Sequence, residues 1–232
     1  MKYNLSPLGD EAVVIEVGTE ISPATEKKVN AIVVTLEELK PSWMVEYIPA
    51  YTTVTVIYKV DRLKENRPYD FICKRIQELM NEVKEVSMCE QKVVRIPVVY
   101  GGVHGPDLAF VAEHNGLTPE EVIRIHTSGT YSVHMIGFAP GFPFIGGMSE
   151  KIAAPRRQSP RLHIPARTVG IAGMQTGVYP IDSPGGWQLI GRTPIELFLP
   201  TEDPPSLLSA GDTIQFYEIT QEEYEALRGD FE

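Results

Sequence analysis

Arg156 and Arg157 stand side by side directly after Pro155, and each carries a planar fork of donors that matches a carboxylate or a phosphate. Between Lys151 and Arg192 six Lys/Arg face a single acid, Asp182, a local excess of five positive charges in a chain of net charge −10. Downstream, Gly173-Met174-Gln175-Thr176-Gly177 offers an amide and a hydroxyl on a loop able to approach a ligand closely; Gln175 suits a planar polar group such as a lactam or a ureido unit. Ser183-Pro184-Gly185-Gly186-Trp187 adds two consecutive glycine N–H groups, suited to an anion nest, and an indole that either walls a pocket or fills a core. The chemistry these residues suggest is the binding of a small anion with a polar planar part.

Other chemistries lack their residues. There is no phosphate loop, no dinucleotide fingerprint, no Gly-x-Ser-x-Gly elbow and no His-Glu-x-x-His pair. The five histidines are scattered; His134 in a strand reads as structural, and His163, between Arg161 and Arg167, would have its cationic form disfavoured if packed among them. No catalytic residue is assigned and no metal site is expected. The candidate substrate-binding residues are Arg156, Arg157, Gln175, Thr176 and Gly177. Tyr179, Gly185, Gly186, Trp187 and Arg192 complete the set.

These residues lie in one stretch, Gly137–Ile195, which holds 10 of the 19 glycines and 8 of the 19 prolines. Apolar residues interleave with them, so the stretch reads as short strands and tight turns rather than as a linker. The motifs GFAPGFPFIGG, PRRQSPRLHIPA and VGIAGMQTGVYPIDSPGGWQLIGRTP resemble the family that contains KipI and the B-type subunit of 5-oxoprolinase. That family is also described as allophanate hydrolase subunit 1, or as subdomains C and D of a carboxyltransferase domain. The resemblance is long and specific over residues 92–219, with Arg167-Thr168 standing where Gly-Ser is more usual.

The family implies a component of an ATP-dependent 5-oxoprolinase, opening 5-oxoproline to L-glutamate with A-type and C-type (KipA-like) partner chains. ATP would serve the complex, and this chain need not bind it. The alternatives are a KipI-like inhibitor of a sensor histidine kinase and half of a biotin-dependent carboxyltransferase of the urea carboxylase kind. No Met-Lys-Met biotin-attachment motif is present, so a biotin carrier would be another chain.

At 232 residues the chain suits one large or two small domains. The expected class is α+β. Residues 1–90 read as β-β-α-β-β-α, a split α/β sandwich: two short strands, a helix from Ser22-Pro23 to Lys40, strands at 43–48 and 53–60, and a helix over 69–83. After a break near 86–91, residues 91–232 read as many short strands with one helical excursion, including a capping box at Thr118–Glu121. Strands are expected at 93–100, 131–138, 195–199 and 213–219, followed by a tail that begins with a helical pattern and then frays. Periodicity gives a barrel or sandwich; the family resemblance sharpens this to a cyclophilin-like β-barrel.

The acidic balance, 31 Asp/Glu against 21 Lys/Arg, opposes a nucleic-acid partner. Two cysteines, Cys73 and Cys89, make neither a disulfide framework nor a zinc site. The opening residues lack a signal peptide's apolar core and no run is long enough to span a membrane, so a cytoplasmic protein is expected, in complex with partner subunits or with copies of itself.

Overall fold

The computed structural model describes residues 1–83 and 92–229. The chain divides into two compact units, Met1–Glu90 and Gln91–Glu232; the expected break at 86–91 and Cys89 lie outside the described residues.

In the first unit, strands β1 (Asn4–Pro7), β2 (Ala12–Glu16), β3 (Met44–Pro49) and β4 (Thr53–Tyr58) form an antiparallel sheet in the order β1-β2-β4-β3. Strand β4 alternates strictly between half-buried and buried positions, sending Val54, Val56 and Tyr58 inward. Helices α1 (Pro23–Leu39) and α2 (Pro68–Glu82) bury Ile32, Leu36, Ile72 and Ile76 in the same core. Helix α1 begins where the sequence says it should. The Ser22 hydroxyl accepts from the Thr25 N–H at 3.2 Å and Pro23 opens the first turn. It ends at Lys40, whose left-handed backbone precedes Pro41.

In the second unit, β5 (Val93–Tyr100) leads into α3 (Leu108–His114) and α4 (Pro119–Ser128), then β6 (Tyr131–Ile136) and β7 (Pro143–Gly146). The remaining strands are β8 (Arg161–Ile164), β9 (Thr168–Ala172), β10 (Gln175–Val178), β11 (Ser183–Gly185), β12 (Gln188–Arg192) and β13 (Thr213–Glu218), followed by α5 (Gln221–Gly229). Seven strands pair in the order β10-β9-β12-β5-β13-β6-β7, and the two edge strands β10 and β7 approach each other, so the sheet is a nearly closed barrel. Among the described residues only the β5–β13 pair of this sheet is parallel. Ile96, Val98, Ile171, Ile190 and Phe216 fill the barrel, with Val111 of α3 and Val122 of α4 packed on the same core. The capping box at Thr118 forms: Glu121 Oε2 accepts from the Thr118 N–H at 2.9 Å, and Thr118 Oγ1 accepts from the Glu121 N–H. Strands β8 and β11 form a separate two-stranded ribbon.

The mixed α+β architecture and the barrel agree with the sequence reading, with local differences. The apolar run 195–199 is not a ladder strand; among its residues only Phe198 bridges, to Ser206. The expected strand to Phe138 stops at Ile136 because the chain turns at Gly137, where the N–H of Gly137 donates to the Phe142 carbonyl across a tight loop. The tail's helical pattern forms as expected: α5 runs to Gly229, with Tyr224 buried beside Val99 and Ile219. The GMQTG stretch is a hairpin, β9 and β10 joined through Gly173-Met174, with Ala172 opposite Gln175.

Candidate functional site

The hairpin register decides which predicted residues can meet. Successive side chains of a strand point to opposite faces, so β10 divides its residues into two sets. Val178 joins the barrel core, and Thr176 is buried with its hydroxyl beside His126. Gln175, Gly177 and the following Tyr179 face the other way, toward Trp187.

That outer face is a pocket of about 190 Å³. Its walls are aromatic and centred on Phe142, whose ring meets Phe138 at 5.5 Å, Phe144 at 5.3 Å and both Tyr179 and Trp187 at 6.2 Å, all edge to face. Arg156, Gln175, Pro184, Gly185 and Gly186 complete the lining. Six predicted residues therefore line one pocket: Arg156, Gln175, Tyr179, Gly185, Gly186 and Trp187. Gly177 supports it from behind, since a Cβ there would lie 3.0 Å from the indole ring of Trp187. At Gly185 a Cβ would lie 2.5 Å from the Tyr179 hydroxyl and 2.8 Å from Ile164, so a larger residue would displace the pocket wall.

Arg157, Thr176 and Arg192 sit elsewhere. Arg157 Nη1 donates to Asp107 Oδ1 at 3.2 Å, and the same carboxylate receives both Arg161 Nη groups, at 2.8 and 2.9 Å. Thr176 belongs to an internal hydrogen-bond chain. Its hydroxyl can donate to the Gly170 carbonyl at 3.2 Å, which leaves its oxygen to accept from His126 Nε2–H at 2.8 Å, while Nδ1 accepts from the Tyr100 hydroxyl at 2.7 Å. This arrangement satisfies a neutral, fully buried His126, and burial pulls its pKa down to about 3. Arg192 is half-buried and donates through Nε to the Ala166 carbonyl at 3.0 Å; desolvation lowers its pKa.

Two expectations are corrected. Gly185 lies in strand β11 and neither it nor Gly186 takes the left-handed conformation, so the alternating backbone of an anion nest is not formed. The Gly186 carbonyl instead accepts from the Arg157 N–H at 2.7 Å. His163 is not packed among arginines. It is exposed, and its Nε2 lies 3.1 Å from Asp182 Oδ2. Asp182 is held below the usual carboxylate range by the Ala166 N–H first and by His163 second.

The cation of the pocket is Arg156, which is exposed and makes no ion pair among the described residues. Tyr179 is the pocket's hydroxyl. Burial pushes its pKa up to about 12, against a smaller opposing pull from the Trp187 N–H, and Arg156 and Arg161 add a weaker pull the same way. It is therefore a hydrogen-bond donor at neutral pH rather than a base. The lining carries no Ser, Cys, His, Asp or Glu among the described residues. Among the described residues no group of three His, Cys, Asp or Glu is placed to hold a metal ion, and no helix is long and apolar enough to cross a membrane.

Sequence reasoning missed Phe138, Phe142 and Phe144 as site residues. The spacing GFAPGFPF puts three phenylalanines between turn-formers, which is a legible sign of a built aromatic surface. The decisive feature is hidden: Phe138 has φ +69° and is 79% exposed, a non-glycine residue held in a strained conformation over the pocket. Arg167 also has φ +69°, and Nη1 of its side chain pairs with Glu196 at 2.9 Å. A glycine would take this turn without strain.

Residues 3–208 match the family described as carboxyltransferase domain, subdomain C and D. The chain is 48% identical to the B-type subunit of 5-oxoprolinase from Bacillus subtilis strain 168 over 234 aligned positions, covering 98% of each chain. It is 44% identical to the corresponding 5-oxoprolinase subunit of Escherichia coli O157:H7, over 90% of this chain and 93% of the relative. Among solved structures, TTHA0988 superimposes with a TM-score of 0.78 at 32% identity; the match covers 90% of this chain but only 40% of that longer one. From its fold, its pocket and these likenesses, the chain belongs to the carboxyltransferase domain, subdomain C and D, family.

Proposed function

We propose that this chain is the B-type subunit of a 5-oxoprolinase complex, and that the aromatic pocket of its barrel holds the lactam ring of 5-oxoproline. The observation that carries this reading is the combination in about 190 Å³ of aromatic walls, one unpaired arginine and one amide side chain. 5-Oxoproline is a five-membered lactam bearing a carboxylate. Its ring matches the faces and edges of Phe142 and Trp187, its carboxylate matches Arg156, and its amide edge matches Gln175. Relatives named as this subunit of 5-oxoprolinase align along nearly the whole chain, which supports the same assignment.

The pocket also supports a division of labour between chains. A lactam carbonyl is a poor electrophile, so hydrolysis coupled to ATP would phosphorylate the carbonyl oxygen with release of ADP; one water then adds as the C–N bond breaks, and a second releases phosphate from the acyl phosphate to leave L-glutamate. The pocket volume of about 190 Å³ lies below the roughly 300–1,000 Å³ of sites for drug-sized ligands, which supports a ligand smaller than a nucleoside triphosphate. This reading assigns ATP to the complex as a co-substrate, without requiring that this chain hold it. The lining holds no base or nucleophile among the described residues, which supports drawing the group that activates water from a partner, whose closure would exclude bulk water from an activated intermediate. Here the role of the chain is to bind and orient. Arg156 fixes the carboxylate, Gln175 fixes the amide, and Tyr179 donates a hydrogen bond.

The test is glutamate release from 5-oxoproline and ATP by this chain assembled with A-type and C-type partners, each omitted in turn. Turnover should vanish without this chain. Arg156→Ala should raise KM about tenfold or more, as expected for loss of a charge-assisted contact. Gln175→Ala should lower kcat/KM with folding intact. Undiminished turnover without this chain, or wild-type constants in both variants, would remove the reading.

A further inference from the structure

Asp107 breaks a local rule. It stands just before α3, where an aspartate ordinarily caps the helix, yet its side chain makes no capping bond. The carboxylate is turned toward the loop that carries Arg156, with only 8% of the side chain exposed. Among the described residues it receives four hydrogen bonds: Arg157 Nη1 at 3.2 Å, Arg161 Nη1 at 2.8 Å, Arg161 Nη2 at 2.9 Å and the Leu189 N–H at 2.7 Å. The Asp107 N–H donates to the Leu189 carbonyl at 2.9 Å, so the residue is anchored to β12 by both backbone and side chain.

The loop it grips, Pro155–Pro160, has no ladder of its own, and its two prolines lack N–H donors. Its other ties among the described residues are single bonds: Gln188 Nε2 to the Pro155 carbonyl at 2.8 Å, and the Arg157 N–H to the Gly186 carbonyl at 2.7 Å. Arg156 sits between these tied points, and it alone of the three arginines projects into the pocket. Without the carboxylate, the guanidiniums of Arg157 and Arg161 would face each other uncompensated in a partly buried place and would push the loop away.

We infer that Asp107 is a positioning residue: by holding Arg157 within the 155–160 loop and Arg161 at its end it fixes that loop so that Arg156 presents its guanidinium to the carboxylate of the bound substrate. This rests on the reading of the pocket given under Proposed function. Asp107 touches no substrate and acts through its neighbour.

A double-mutant cycle separates positioning from general destabilisation. The affinity of the full chain for 5-oxoproline would be followed through Trp187 fluorescence in a Trp43→Phe background, alone and assembled with its partners, for Asp107→Asn, Arg156→Ala and the double variant. Asp107→Asn should weaken binding roughly tenfold, within the range of coupling between interacting residues, and should add almost nothing once Arg156 is gone. If Asp107→Asn does not fold, Arg161→Lys keeps the charge but removes the two-pronged grip, and should weaken binding in the same direction, again only while Arg156 is present. Wild-type affinity in Asp107→Asn, or an equal loss in both backgrounds, overturns the positioning role and leaves the pocket reading standing. An Arg156→Ala chain that binds as well as the wild type, or a wild type that does not bind, removes the pocket reading and this inference with it.

Discussion

The two units handle buried polar groups differently, for only the barrel adds pairs that reach far along the chain. Among the described residues of the first, the buried polar ones are Thr25 and Thr35, both on α1, where each bonds close by in sequence: Thr25 to Ser22 and Thr35 to the Ala31 carbonyl at 2.8 Å. In the barrel unit, Asp107, His126, Thr168, Thr176, Gln188 and Thr193 are among those buried. Thr168 and Thr193 also bond close by, to the Pro165 carbonyl and the Ile195 N–H, but the others reach far along the chain: His126 to Thr176, Asp107 to Arg161, and Gln188 to Pro155. An apolar core tolerates repacking, whereas a polar network fixes geometry at the expense of stability. The candidate pocket lies in the unit with the network.

The sharpest way to break this contrast is at His126. Replacing it with alanine removes the acceptor of the Tyr100 hydroxyl and one of the two partners of the Thr176 hydroxyl, and opens a cavity beside Phe216, so the barrel should lose about 3–5 kcal/mol. Denaturant unfolding followed through Trp187 would measure it. The same residue predicts a pH dependence. Folded His126 stays neutral down to about pH 3, while the unfolded imidazole takes a proton below about pH 6.5. Its contribution to stability is therefore full above about pH 6.5 and declines as pH falls toward about 3, by up to about 1.4 kcal/mol per pH unit. His126→Phe should flatten that slope. An unchanged slope would mean that other groups govern acid unfolding.

This contrast also explains what is legible in the sequence. The first unit is spelled locally: Ser22-Pro23 starts α1, Pro41 stops it, and β4 alternates, so its six elements can be read in order. In the barrel, Arg156, Gln175 and Trp187 are legible by residue type and their glycine-rich setting, but their meeting depends on strand register. Thr176 looks equivalent to Gln175 until the hairpin places them on opposite faces. Arg157 looks equivalent to Arg156 until Asp107, 50 positions away, claims it. Asp107 itself reads as a helix start. Pairings that distant leave no periodic trace, and only the fold discloses them.

Phe138 sharpens the comparison at a smaller scale. Phe138→Gly removes the left-handed strain and one exposed ring, so stability should stay within about 1 kcal/mol of the wild type, gained backbone ease offsetting the lost contact with Phe142 and the freer unfolded chain. Affinity for 5-oxoproline should nevertheless fall, because one wall of the pocket is gone. A variant with full affinity would show that Phe138 faces something other than this ligand.

The smallest effect is expected in the first unit. The Thr35 hydroxyl donates to a carbonyl that α1 already uses in its own turn geometry, so it closes no distant contact. Thr35→Ala removes this bond together with a methyl group, and gains helix propensity in exchange. The net change should be below about 1 kcal/mol, read through Trp43 in a Trp187→Phe background. Thr176→Ala, the same change of residue type in the barrel, should cost several times more, because it strands His126 Nε2 in a fully buried place. Equal losses at the two threonines would erase the contrast: the barrel's buried polar groups would then be ordinary local bonds, and the geometry of the pocket would need another source of rigidity.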